Sequence, residues 1–209
     1  MLEFRVEAGR PDRHSLLRAA AILRDGGIVA YPTDTLYGLA AHPASAAAMA
    51  QLYRIKGRSV DLAIPLIASG LGQIEAAGGV LDPASRRLAA AFWPGPLTLV
   101  IPAWPQLDAR VHAGRGTVAV RVPDHPVACL LADACGCPIT STSANRSGEP
   151  ATLDPEAVRA ALGGVLDGLI DAGPSPGGPP STIVDASGAV PMLIRAGAVP
   201  WDRVLECLL

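Results

Sequence analysis

Lysine is all but absent from this chain of 209 residues: Lys56 is the only one, and every other basic residue is an arginine. Blocks of basic residues are missing too, and a formal net charge of −2 gives no global field that would hold a polyanion. A nucleic-acid role would therefore need a local patch, which the sequence does not show. Aromatic residues make up only 4% of the chain, against 50% hydrophobic residues, 22 glycines and 20 prolines. The core must be built from Ala, Val, Leu and Ile joined by tight turns, which suits a single α/β domain over residues 1–209. No apolar run is long enough to span a bilayer, and the charged start MLEFRVEAGRPDRHS has no signal-peptide core, so a soluble, cytoplasmic protein is expected. Cys129, Cys135, Cys137 and Cys207 contain no C-x-x-C pair, so neither a metal site nor a disulfide framework is expected. G-x-x-x-x-G-K-[ST], H-E-x-x-H and internal repeats are also missing. The G-x-S-x-G of Gly173 to Gly177 is no nucleophile elbow, because no helix can follow through Gly178-Pro179-Pro180.

What is present clusters at strand ends. Ile28 to Tyr31 reads as a short buried strand bounded by Gly27 and Pro32, and Thr33, Asp34 and Thr35 then offer hydroxyls and a carboxylate where α/β sheets bind ligands. The same residues equally suit a turn capping the next element. Helices are expected over Asp12 to Asp25, Ala44 to Ile55, Asp82 to Phe92, His125 to Ala134 with Asp124 as its cap, Asp154 to Leu162 and Trp201 to Leu208. Strands are expected at Phe4 to Val6, Ile64 to Ala68, Leu97 to Ile101, Thr117 to Val122, Pro138 to Thr142, Leu169 to Asp171, Thr182 to Asp185 and Met192 to Arg195. The segment Pro102 to Gly116 reads as a loop.

The second helix delivers Lys56 and Arg58 just past its end, an ammonium and a guanidinium suited to gripping polyphosphate or simply to a solvated terminus. A post-helix lysine is expected to be exposed and remote from the core. In TVAVRV, alternation puts Thr117 and Arg121 on one face. Ser141 to Gly148 packs hydroxyls and an amide into a turn that can donate several hydrogen bonds to phosphate oxygens.

In this order, YPTDTLYGL, KGR, FWPGPLTLV, TVAVRVP, STSANRSGEPAT, STIVD and LIRAG resemble the YrdC-like family of threonylcarbamoyl-AMP synthases over Ala30 to Gly197. The resemblance implies a twisted, mostly open mixed sheet with flanking helices around a deep cavity. It implies a nucleotidyltransferase that makes threonylcarbamoyl-AMP and pyrophosphate from L-threonine, bicarbonate and ATP with Mg²⁺. The product would serve a downstream tRNA threonylcarbamoyl-transfer complex, and weak tRNA binding is possible. Residue by residue, it assigns Lys56 and Arg58 to phosphate binding and catalysis, and Thr117, Ser143, Asn145 and Arg195 to the nucleotide. Thr35, Arg121, Ser141 and Ser181 are assigned to threonine. Ser59 stands where the family usually has proline, Ser69 lies where many members have histidine, and Ala151 holds a position often serine. Because the sequence ends soon after Trp201, the extra C-terminal domain of longer members is expected to be absent. The alternatives are a fold relative with a different carbamoyl or adenylate substrate, and a non-catalytic RNA-binding module.

Overall fold

Side-chain caps written into the sequence set most helix boundaries in the computed structural model, which describes residues 1–209. After β1 (Leu2–Arg5), Asp12 accepts from the Ser15 amide at 2.8 Å and starts α1 (Arg13–Arg24). A hairpin follows, β2 (Val29–Pro32) and β3 (Tyr37–Ala40), and then Ser45 caps α2 (Ala46–Lys56), which ends on Gly57 in the left-handed region at φ 58°. Next come β4 (Leu66–Ile67), α3 (Leu71–Ala76) and α4 (Pro83–Phe92), the last capped by Asp82 with proline at its first turn. Beyond them lie β5 (Leu97–Pro102), α5 (Ala109–His112), β6 (Thr117–Arg121), α6 (Pro126–Cys135), β7 (Ile139–Thr140) and β8 (Thr142–Ser143). The chain finishes with α7 (Pro155–Leu162), β9 (Gly168–Asp171), β10 (Thr182–Asp185), β11 (Met192–Arg195) and α8 (Trp201–Glu206).

The strands form two mixed, open sheets in the orders β1-β9-β2-β3-β8 and β11-β10-β5-β6-β4-β7. A mixed α/β domain is the expected fold class, here with its strands divided between two sheets. Their junction is a single residue: β7 pairs with β4 in one sheet, β8 pairs with β3 in the other, and Ser141 lies between. Thr140 pins this crossing, its hydroxyl donating to the Leu39 carbonyl at 3.1 Å and accepting from the Ala41 amide at 2.7 Å. The expected continuous strand from Pro138 to Thr142 is therefore interrupted: the Ser141 amide still bonds the Pro65 carbonyl in the register of the β4–β7 ladder, but Pro65 has no N–H to return the bond, and the chain passes on to pair with β3.

Burial follows the two sheets. One apolar cluster, containing Leu39, Leu52, Leu66, Leu99, Val118 and Val120, fills the space between them. A second packs α1 and α6 on the outer face of the first sheet, where Ala19, Ala20, Ala128 and Ala132 let the helices approach closely. Several finer expectations need correction. Asp124 does not cap α6; His125 occupies the cap position, with Pro126 opening the helix. The presumed loop after β5 holds α5, and Pro32 belongs to β2, paired with Tyr37. The expected exposure of Lys56 is overturned: it is the last residue of α2 and only 2% exposed.

Candidate active site

The two sheets part around a cavity of about 620 Å³. Its walls come from distant stretches: Thr33 and Thr35 to Gly38 of the hairpin turn, Pro65 to Ile67, Thr98, Arg121, Ser141 to Ser143, and Ser181 with Arg195. The hairpin turn is preset. Thr33, 3% exposed, donates its hydroxyl to the Leu36 carbonyl at 2.7 Å and accepts from the Thr35 and Leu36 amides, each at 3.2 Å. That turn places Asp34 opposite Arg121, 87 residues along the chain, and the pair is bidentate: Nη2 donates to Oδ1 at 2.9 Å and Nη1 to Oδ2 at 3.2 Å. Arg121 is thus buried but not consumed, since a guanidinium has five N–H donors and only two are engaged here.

Arg195 supplies a second guanidinium. It donates to the Ser181 carbonyl at 2.7 Å and to the Ser181 hydroxyl at 3.2 Å, while Thr98 shares a 2.8 Å bond with that hydroxyl. Burial, and then the charge of Arg121, push its pKa below the ordinary arginine value. Two arginines therefore face one cavity against a single carboxylate, Asp34, set behind Arg121, and the net positive charge favours an anionic ligand.

Lys56 stands behind this wall rather than in it. Its Nζ donates to the Ser143 carbonyl at 2.6 Å and to Asn145 Oδ1 at 2.8 Å, with the Ser143 hydroxyl at 3.4 Å. Burial, with a smaller contribution from the Arg58 charge, lowers its pKa to about 8. Arg58 turns to the carbonyls of Leu62 and Ala63, at 3.3 and 2.9 Å, and holds the loop after α2.

Six of the sequence-derived site residues thus share the cavity: Thr35, Arg121, Ser141, Ser143, Ser181 and Arg195. Lys56 and Asn145 join it only through Ser143, and Arg58 is not at its wall. Thr117 is not there either. It shares a face with Arg121, but four residues of extended strand separate them by about 13 Å. The sequence reading flagged Thr33 but missed Thr98 and the pairing role of Asp34, contacts between segments that no local pattern announces. Nor does the cavity wall build a metal cage, since its lining contains no His, Cys, Asp or Glu.

The C-terminal segment reaches the cavity through a tight approach. A Cβ on Gly197 would lie 2.5 Å from the Ser181 carbonyl carbon and the Thr182 nitrogen, and also against the Pro180 oxygen. Because these are backbone atoms, Gly197→Ala should shift the Ser181 segment and cost about 1–3 kcal/mol of stability. Urea denaturation checks this, and an unchanged midpoint would show that the segment yields freely.

Comparison with known proteins adds to this geometry. The Sua5/YciO/YrdC family model, described as Telomere recombination, matches residues 21–197. A threonylcarbamoyl-AMP synthase of Bacillus subtilis is 38% identical over 190 residues, 90% of this chain and 55% of that protein. One from Alkalilimnicola ehrlichii is 42% identical over 182 residues, 85% of this chain and 95% of that protein. The crystal structure of Pyrococcus abyssi Sua5 complexed with L-threonine superposes with a TM-score of 0.92 at 32% identity, covering 100% of this chain and 61% of that one. The chain thus spans little more than half of the first and third, and nearly all of the second.

Proposed function

The chain belongs to the Sua5/YciO/YrdC family, and from that premise we propose that it is an L-threonylcarbamoyladenylate synthase, converting L-threonine, bicarbonate and ATP to threonylcarbamoyl-AMP and pyrophosphate. The observation that carries this reading is the cavity where hydroxyls from both sheets surround Arg121, with Arg195 nearby and Lys56 bracing the wall. Such a site suits two anionic substrates held side by side, and no activated nucleophile of the protein is needed.

In this reading, the threonine carboxylate takes the unused N–H groups of Arg121, while Thr35, Ser141 and Ser181 supply hydroxyl contacts. The deprotonated amine adds to bicarbonate or its CO2 to form a carbamate. A carbamate oxygen then attacks the α-phosphorus of ATP, and the bond to the β-phosphate oxygen breaks, releasing pyrophosphate. Ser143, Asn145 and Arg195 hold the nucleotide end. Lys56 acts on the phosphates only from behind Ser143, and Arg58, which holds the loop after α2, has no direct contact with them in this reading. Thr117, placed away from the wall, has no direct contact in this reading. Mg²⁺ arrives with ATP and neutralises phosphate charge, so the protein's own contribution is positioning and fixed electrostatics.

The product is a mixed anhydride, activated for delivery to the complex that modifies tRNA. No helix is long and apolar enough to cross a membrane. The expected outcome with purified protein is pyrophosphate release from ATP that requires both L-threonine and bicarbonate. Equal release without threonine would overturn the proposal.

A further inference from the structure

At the far end of α6 from Arg121, two thiols and an imidazole meet with no part in the chemistry above. Cys135 is the last residue of α6, Gly136 turns the chain in the left-handed region at φ 81°, and Cys137 follows. The turn brings the two side chains back together, with Sγ to Sγ 3.8 Å. His42, just beyond β3, places Nε2 3.4 Å from the Cys137 sulfur.

Hydrogen bonding fixes the imidazole. The Ala44 amide donates to His42 Nδ1 at 3.3 Å, so Nδ1 is the acceptor and the neutral ring carries its proton on Nε2, facing Cys137. Burial lowers the His42 pKa and keeps the ring neutral. The contacts form a chain in which the His42 N–H donates to Cys137 and the Cys137 thiol donates to Cys135. That last bond lowers the Cys135 pKa, against the effect of burial and with help from the Arg24 charge, and it raises the Cys137 thiol above its ordinary value, so Cys135 is the first of the two to ionise. Arg24 stands close by, its Nη1 2.6 Å from the Ala134 carbonyl. Cys135 is 5% exposed, while Cys137 is half-buried and is the more accessible residue of the two.

We propose that Cys135 and Cys137 are a modification site, a dithiol that closes reversibly to a disulfide by exchange with a low-molecular-weight disulfide. Once the Cys135 thiol has lost its own proton to solvent, it takes the shared proton from Cys137, leaving Cys137 as a thiolate stabilised by the His42 N–H. Cys137 attacks one sulfur of the reagent, forming a mixed disulfide and expelling one thiolate. Cys135, its proton lost to solvent, attacks the Cys137 sulfur, forming the Cys135–Cys137 bond and expelling the second thiolate. Two cysteine thiols are oxidised by two electrons, and one external disulfide is reduced to two thiols. Nothing in this step depends on the cavity or on its substrates.

The test treats the full chain with oxidised glutathione and follows intact mass and alkylation mapping. The parent should become lighter by two hydrogens at Cys135 and Cys137, with dithiothreitol restoring the original mass. Cys135→Ser should stop at a glutathione adduct on Cys137, and Cys137→Ser should stay unmodified at Cys135 over the same interval. His42→Ala should slow formation of that adduct. A parent that stays fully reduced or stops at the mixed disulfide would overturn the proposal. So would an internal disulfide that persists when either cysteine is serine. Mapping on the parent decides the matter even if a variant folds poorly.

Discussion

Lys56→Ala should melt roughly 5–15 °C below the parent and lose pyrophosphate-forming activity by about a hundredfold. The thermal part follows from where the ammonium sits. Burial at 2% exposure and bonds of 2.6 and 2.8 Å to the Ser143 carbonyl and Asn145 Oδ1 make Lys56 a strut between α2 and the loop after β8. Removing it loses two charge-assisted bonds, each worth about 1.5–3 kcal/mol, to acceptors that keep the Asn145 amide and the Ser143 hydroxyl as other donors, and the loss is partly offset because a charge no longer has to be buried. The activity loss follows because Ser143 is on the cavity wall and its carbonyl is what Lys56 grips. Calorimetry and the pyrophosphate assay check the two parts separately. A variant that melts with the parent would mean that the loop is held by other contacts.

The same residue has a pH signature. Its pKa is lowered to about 8 in the folded protein, from an ordinary value of 10.5, so between these values the unfolded chain holds a proton that the folded chain has released. Stability from this group therefore rises as pH increases across that window, and below about pH 8 the buried ammonium is a standing cost. The released amine keeps two N–H donors for Ser143 and Asn145. Urea denaturation of the parent and of Lys56→Met from pH 7.5 to 10.5, about the range of the titration, should show the difference between them growing in the parent's favour. Parallel curves would contradict the lowered pKa.

How far the fold was legible depended on how local each signal was. Asp12, Asp82, Asp154 and the alternation in TVAVRV act within a few residues, and α1, α4, α7 and β6 lie where these patterns place them. The division into two sheets was not legible, because it turns on Ser141, where Thr140 is claimed by β3 and the Ser141 amide by Pro65, both distant in sequence. The same limit governs the site. Polar density flagged Ser141 and Ser143, and strand alternation flagged Arg121. Alternation also promoted Thr117, because it reports the face a side chain shares but not the distance along the strand. Lys56 was misjudged because a helix terminus is ordinarily solvated. Here the Ser143–Asn145 turn folds over it, a contact between residues 87 and 89 positions apart.

Arg121→Lys should preserve charge yet weaken L-threonine use tenfold or more, about 1.4 kcal/mol, while ATP binding changes much less. The geometry sharpens the reason. Arg121 already spends one N–H from each Nη on Asp34, and its planar fork leaves the remaining donors aimed in fixed directions for a second carboxylate. An ammonium on a shorter, flexible stem can satisfy one Asp34 oxygen or meet the incoming carboxylate, but it has no plane that fixes both at once. Asp34→Asn provides the complementary case: it removes the counter-charge and leaves Arg121 free to rotate, so threonine affinity should fall through lost orientation although the guanidinium remains. Titrations of L-threonine and ATP against the parent and both variants, with a thermal melt beside each, separate binding from folding. If the lysine variant binds threonine as well as the parent does, Arg121 serves the strand and its partner Asp34 rather than the amino acid. If it loses threonine and ATP equally, Arg121 belongs to the phosphates, and the threonine end of the cavity must be sought nearer Ser181 and Arg195.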